Sequence, residues 1–348
     1  MDYFKKSKVL VSGGAGFVGS NLVKMLLAKY PGIRITVVDN FLSSELANLP
    51  ADHRLKILNG SIAGDTILKS VNDDFDYIFH LATFHGNQNS IYDPLADHAN
   101  NTLTSLKLMN HVKRFKKLHA LVYSGAGCAS AKKTFGKAEA TREDAPVSLL
   151  QDSPYSISKL IGEFYAVYFQ RQFGLPAVRA RFQNVYGPGE VLGAGKWRGT
   201  PATVWRNVVP VFIYKALNKQ PLTVENKGVA TRDFIFVDDI CKGLIACAVK
   251  GKPGEAYNLA SGKETKIIDL ARTINELTGN TAGIKFLPKR SWDNSGKRFG
   301  STRKSRGKIG FQASVGLREG VQETISWTRA NIHLINKCIK KHRKHMAL

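Results

Sequence analysis

K-V-L-V-S-G-G-A-G-F-V-G, residues 8 to 19, decides how this chain is read. An apolar run of strand length ends at Gly13, and apolar residues then recur at helical spacing at Val18, Leu22 and Leu26. The glycines at 13, 16 and 19 therefore fall in the turn between a strand and a helix. Each has its own expected task. Gly13 permits the tight turn, Gly16 lets a bound anion approach the backbone, and Gly19 lets helix and strand pack closely. Phe17 and Val18 lie between them at the same site. The helix start adds unpaired N–H groups, which favour a phosphate.

Outward from this turn the pattern repeats. I-T-V-V-D (35–39), L-K-I-L-N-G (55–60), Y-I-F-H-L-A (77–82), A-L-V-Y-S (120–124) and V-R-A-R-F (178–182) read as strands. Helical stretches are expected around 96–114 and 154–173. Continuous apolar strands alternating with helices predict an α/β fold, a doubly wound parallel sheet of the Rossmann kind. Asp39 closes the second strand twenty residues beyond Gly19. A carboxylate there accepts hydrogen bonds from a ribose diol and repels a 2′-phosphate, so NAD is expected rather than NADP. Asn40 follows it. A turn that binds nothing is the competing reading, and the strand–turn–helix context with Asp39 weighs against it.

After Gly187 turn formers and basic residues dominate, and a second, smaller α/β substrate lobe is expected. The expected boundaries are 1–184 plus about 230–258 for the cofactor domain and 185–229 plus about 259–335 for the lobe, with 336–348 a basic, frayed tail. The formal charge of +24 suits anionic partners, yet no zinc finger, helix-turn-helix or aromatic-interleaved RNA motif accompanies it, so nucleic acid is not expected. No apolar run is long enough for a membrane span. The start runs straight into a strand pattern, and four cysteines show no paired spacing, so a cytoplasmic protein without disulfides is expected. The histidines form no ligand cluster and no metal is expected; His80 reads as a satisfied core residue.

The chemistry is expected at S-P-Y-S-I-S-K-L, where Tyr155 and Lys159 stand at i and i+4 on one helix face. A nearby ammonium favours phenolate, which makes Tyr155 a usable general base. Taken together, G-x-x-G-x-x-G and Y-x-x-x-K resemble the extended short-chain dehydrogenase/reductase family, in particular its nucleotide-sugar epimerases and dehydratases. Further matches follow in order at F-H-L-A (79–82), D-P-L-A-D-H-A-N-N-T-L-T (93–104), R-F-Q-N-V-Y-G-P-G (181–189), T-R-D-F-I-F-V-D-D-I (231–240), Y-N-L-A-S-G (257–262) and L-R-E-G-V-Q-E-T-I-S-W (317–327).

The resemblance implies that Tyr155 takes a sugar hydroxyl proton while hydride moves to the nicotinamide, with Lys159 holding the nicotinamide ribose. It implies Leu81, Ala82 and Thr83 on the adenosine side and Asn100 near the cofactor. Ser61, followed by Ile62, stands where the family usually has an adenine-reading aspartate. Asn184, Arg232 and Arg298 are expected on the substrate, its diphosphate included. His85 and Ser90 belong to the segment that closes over the sugar, and Lys196 to the loop after Y-G-P. A homodimer and a nucleotide-diphosphate sugar, a UDP-sugar ahead of a GDP-sugar, are also implied.

One stretch departs from the family. Aligned on V-Y-S, the usual catalytic hydroxyl falls on Ala126, followed by Gly127 and Cys128. Dehydratases and decarboxylases of the family carry an acidic residue here, so both patterns are disfavoured. Ser124, Cys128 or a water is left to supply the missing group. A similar S-A-C segment occurs in GDP-mannose 3,5-epimerases, whose cysteine matches Cys128. The expected function is NAD-dependent 4-epimerisation of a nucleotide sugar by transient oxidation at C4. C3/C5 epimerisation through Cys128, a net oxidoreductase, and more distantly an NAD- or nucleic-acid-binding protein without activity remain open.

Overall fold

Strands covered on both faces need apolar side chains in both directions, and the central sheet is built from such strands. The computed structural model describes residues 3–190, 207–289, 293–294 and 296–341. Seven strands form this sheet: β1 (Lys8–Ser12), β2 (Arg34–Asp39), β3 (Leu55–Asn59), β4 (Tyr77–His80), β5 (Ala120–Ala126), β6 (Ala177–Phe182) and β7 (Ala256–Leu259). All neighbours are parallel, in the order 3-2-1-4-5-6-7. The order reverses beside β1, and a ligand crevice is expected at the carboxyl ends there.

Alternate side chains of each strand feed two cores. Val9, Val11, Phe79 and Val122 face Leu22 and Leu26 of α1 (Phe17–Lys29) and Ile240 and Leu244 of a helix at Val237–Lys250. Leu10, Ile78, Leu121 and Tyr123 face α2 (Leu103–Val112) and α3 (Pro154–Phe173) through Leu108, Met109, Ala166 and Phe169. Ser153 caps α3 by accepting a bond from the Ser156 N–H at 3.3 Å, Pro154 occupies the first turn, and Gly174 ends the helix at φ 72°. Glu163 on α3 is buried between Arg181, bound at 2.8–3.1 Å, and Arg179 at 3.0 Å, both on β6. Breaking such a buried triad costs about 3–5 kcal/mol.

A third core joins helices Val208–Leu217, Ile267–Thr278 and Leu317–Ala330 through Phe212, Ile213, Leu270, Ile274, Val321 and Ile325. Tyr186, Phe234 and Phe236 connect it to the sheet side. Ile309 and Phe311, expected in the second lobe, pack instead in the first core. The expected frayed tail is also different over residues 336–341, which continue a helix, Ile332–Lys341. Ile335 and Ile339 meet Trp327, Val211 and Tyr214, and the Tyr214 hydroxyl donates to Asn336 Oδ1 at 2.9 Å. Apolar residues at helical spacing anchor a segment that also carries Lys337, Lys340 and Lys341.

Candidate active site

The first turn needs glycine for three separate reasons. Gly13 has φ +74°, and a Cβ there would lie 2.6 Å from the Ala82 backbone nitrogen. A Cβ on Gly19 would lie 2.2 Å from the Gly13 carbonyl oxygen, inside backbone. Gly16 meets only the Gly13 oxygen at 3.2 Å and otherwise opens into the cleft. Asp39 fixes the neighbouring rim. Its Oδ2 accepts from Ala15 N–H at 2.9 Å, and its Oδ1 accepts from Phe41 N–H at 2.9 Å and Ser44 Oγ at 2.8 Å. A carboxylate has about four acceptor positions, so one on Oδ2 remains for a ribose hydroxyl.

A cleft of about 360 Å³ runs from this turn over the carboxyl ends of β4 and β5 to α3. It is lined by each of Gly13, Gly16, Phe17, Val18, Gly19, Asp39, Asn40, Ser61, Ile62, Leu81, Ala82, Thr83, Asn100, Tyr155 and Lys159. The residues present therefore fit NAD: an open glycine backbone at a helix start, a ribose-directed carboxylate, and a lysine at the far end.

At that far end Tyr155 and Lys159 meet as one turn of helix dictates, the Lys159 Nζ 5.9 Å from the Tyr155 ring centre. Lys159 is buried and donates to the Ser124 carbonyl at 2.9 Å and to Ser124 Oγ at 3.4 Å. Burial lowers its pKa to about 8, against a pull upward from Asp97, Cys128 and Glu163. Burial, aided by Lys159, lowers that of His80 to about 3. His80 is thus a neutral core residue, held by Ser12 Oγ at 2.7 Å and Ser105 Oγ at 3.1 Å. The Ser124 hydroxyl donates to the His80 carbonyl at 2.9 Å. Its one proton is spent there, inside the ladder that pairs Ser124 with Ala180.

A match to the NAD dependent epimerase/dehydratase family runs over residues 9–260. The Bordetella bronchiseptica enzyme WbmF, solved with NAD+ and UDP, is 56% identical with a TM-score of 0.88, and 99% of each chain is covered. UDP-glucose 4-epimerase of Thermotoga maritima, solved with UDP-glucose, is 27% identical with a TM-score of 0.82, covering 93% of this chain and 99% of that one. A trifunctional UDP-glucose 4,6-dehydratase/3,5-epimerase/reductase of Arabidopsis thaliana is 27% identical over 94% of this chain, which spans 48% of that relative. The chain belongs to the NAD dependent epimerase/dehydratase family. Its cofactor is NAD, and the neighbours mark it as an enzyme of the nucleotide-sugar epimerase/dehydratase group.

Within this family member the remaining expected residues divide. His85, Cys128, Asn184 and Arg298 line the cleft with Ser124. The His85 ring stands edge-on to Tyr155 with centres 5.5 Å apart. Arg232 lies off the cleft lining, donating to the Thr231 and Gly296 carbonyls at 2.7 and 2.8 Å. Burial, with repulsion from Arg298, lowers its pKa to about 9. Ser90 is fully buried, is not among the cleft-lining residues, and donates to the Asn87 carbonyl at 2.8 Å. Its position in a helical turn turns the hydroxyl onto its own backbone. Lys196 lies outside the described residues.

The sequence reading missed Gln183, Glu190 and Asn207, which also line the cleft. Gln183 sits beside the expected Asn184, and its amide fills the space over Gly127 and Gly300. Asn101 was missed too, one residue after the expected Asn100. Its amide accepts from Thr83 Oγ1 and Phe84 N–H at 2.9 and 2.7 Å, pinning the cleft loop to the helices behind it. Among the described residues no three His, Cys, Asp or Glu side chains group as metal ligands, and no helix is long and apolar enough to cross a membrane.

Proposed function

We propose that the protein is an NAD-dependent nucleotide-sugar 4-epimerase. The observation that carries this reading is the wall beside Tyr155, where Ala126 ends β5 and Gly127 and Cys128 follow it without a carboxylate. Elimination of water or loss of carbon dioxide needs an acid or positioning carboxylate there. The acids lining the cleft are Asp39, at the ribose rim, and Glu190, which follows a Pro188 carbonyl held by Asn21 of α1 at 3.0 Å. Glu190 Oε1 accepts from the Asn207 amide at 3.2 Å, and neither acid belongs to the Ala126–Cys128 wall.

When bound, NAD supplies a reversible hydride acceptor. Tyr155 takes the proton of the sugar C4 hydroxyl as that carbon is oxidised, and gives it back after the ketone has turned its other face. Lys159 holds positive charge beneath the phenol, where water is excluded. Asn184 and Arg298 line the part of the cleft available to the diphosphate. UDP is favoured over GDP by the UDP ligands of the similar WbmF and Thermotoga enzymes. The second reading, C3/C5 epimerisation, rests on Cys128, which lines the same cleft within electrostatic reach of Lys159 and Arg232.

Turnover of UDP-sugars in deuterated water separates the two. The 4-epimerase gives an epimer with no carbon-bound deuterium, and deuterium at C3 or C5 overturns it in favour of Cys128. Tyr155→Phe is expected to lower kcat by about 10²–10⁴-fold with NAD still bound; retained turnover removes Tyr155 from the site.

The lobe boundaries read from the sequence serve this function, 185–229 and 259–335 holding the nucleotide sugar, with the strap at Ile309–Phe311 folded back on the first core. A cytoplasmic homodimer completes the reading. Ile157, Phe164 and Tyr168 are exposed along one face of α3 (47%, 62% and 52%), beside exposed Tyr92 and Leu95. Apolar area of this kind at helix spacing marks a partner surface. Sedimentation velocity should give twice the chain mass, and Phe164→Glu should halve it; a wild-type monomer overturns the dimer.

A further inference from the structure

A buried ammonium needs a counter-charge, and the described surroundings of Lys159 offer two carboxylates, Asp97 and Glu163, besides the Cys128 thiol. Glu163 is already bonded to Arg179 and Arg181. Cys128 stands at the cleft wall, open to substrate. Asp97 is different: it is 1% exposed, no arginine or lysine among the described residues makes a contact ion pair with it, and Lys159 acts on it at longer range.

Its placement is built. Residues His98–Thr102 form a π-turn, whose extra residue carries Asn101 round to face both Asp97 and α3. The Asn101 amide donates to Asp97 Oδ1 at 2.7 Å and to Ser158 Oγ at 3.3 Å, and Ser158 directly precedes Lys159. Asp97 Oδ2 is buried with no hydrogen-bond partner at bonding geometry; the Ser158 hydroxyl, which donates to the Tyr155 carbonyl at 3.0 Å, lies against the same carboxylate and with Asn101 opposes the effect of its burial. A carboxylate left half-satisfied in such a place is costly unless a charge interaction offsets it. The other charges in contact are His98 on Asp97 itself, and His80, neutral, on Lys159. Tyr123, buried on β5, feels Asp97 as well.

We propose that Asp97 is the charge partner of Lys159, a positioning residue that keeps the ammonium protonated beneath Tyr155 through the working pH range. The proposal rests on Tyr155 and Lys159 as the chemical pair. Burial alone raises the Asp97 pKa and lowers that of Lys159, so each group opposes the penalty of the other. The sign follows. Lys159 must carry its proton, so activity falls as pH rises through the Lys159 pKa. Removing the nearby carboxylate moves that alkaline limb to lower pH.

The test is Asp97→Asn in the full NAD-loaded enzyme. The alkaline limb of kcat/KM is expected to move down by about one pH unit or more, and Asp97→Glu to return it to the wild-type position. NMR of ¹³C-lysine-labelled protein, with Lys159→Arg to assign the resonance, should show the same displacement of the Lys159 titration whatever reaction is catalysed. Asp97→Thr replaces Asp97→Asn where the latter does not fold, as read by thermal melting. An equal loss of activity at every pH with the Lys159 titration unmoved overturns the proposal and leaves Asp97 a structural residue. A displaced Lys159 titration with turnover indifferent to Lys159→Arg upholds the pairing and overturns instead the assignment of Lys159 to the chemistry.

Discussion

Two stretches at the carboxyl ends of the sheet, one following β1 and one closing β5, both read as small and glycine-rich: G-G-A-G-F-V-G at 13–19 and S-G-A-G-C-A-S at 124–130. In the first, glycine serves the backbone. Gly13 adopts a positive φ, and Gly19 has backbone where its side chain would be. In the second, glycine makes room for side chains from elsewhere. A Cβ on Gly125 would lie 2.7 Å from Glu163 Oε1, and one on Gly127 would lie 2.2 Å from Gln183 Nε2. Neither Gly125 nor Gly127 has a positive φ. Glycine content alone therefore does not identify a phosphate cradle. What identifies it is whether the glycine is demanded by the local backbone or by a distant side chain.

Paired substitutions break this comparison most forcefully. Gly19→Ala drives a methyl into the Gly13 oxygen and Gly14 Cα, neither of which is the end of a flexible side chain. Overpacking of this kind costs about 1–3 kcal/mol, and because the strain falls on the cradle, NAD affinity should drop by about tenfold or more. Gly125→Ala presses on the Glu163 carboxylate within its arginine triad. A similar loss of stability, about 1–3 kcal/mol, is expected there, with NAD affinity unchanged. Thermal melts and NAD titration read both. Equal effects on NAD binding would mean that the second turn is also part of the cradle.

The comparison also explains what was legible. The cofactor half is written in short range: strand, glycines, helix start and Asp39 fall within about thirty residues, each enforcing the next through backbone geometry. All fifteen expected cofactor positions line one cleft. The substrate wall is assembled from distant pieces. Ala140–Thr141 pairs with Phe299–Gly300, Thr134 bridges Lys297, and Gln183 fills the space over Gly127 and Gly300. No local period announces such contacts. Arg232 and Arg298 looked alike in sequence, and only packing puts Arg298 on the cleft lining and Arg232 off it. The amphipathic spacing of Ile332, Ile335 and Ile339 was present in the tail, but Lys337 and the basic residues from Lys340 onward masked it.

The smallest expected effect tests the feature that sets this chain apart. Ala126 packs against Tyr155 and is 5% exposed, while Ser124, two residues earlier, commits its proton to the His80 carbonyl. Ser124 therefore holds Lys159 and β4 in place and has no donor left for a phenol or sugar oxygen. Ala126→Ser puts a hydroxyl beside Tyr155 with almost no change in volume. One hydrogen bond of about 1 kcal/mol made to the phenolate as the sugar is oxidised should raise kcat by about fivefold, with the NAD affinity unaltered. A fall in kcat at unchanged KM would mean that the apolar wall is itself required, because the transferred hydrogen or a bulky sugar substituent passes against it. In that case the loss of the usual hydroxyl is a specificity feature of the pocket, and the substrate should carry its apolar or bulky group on that face.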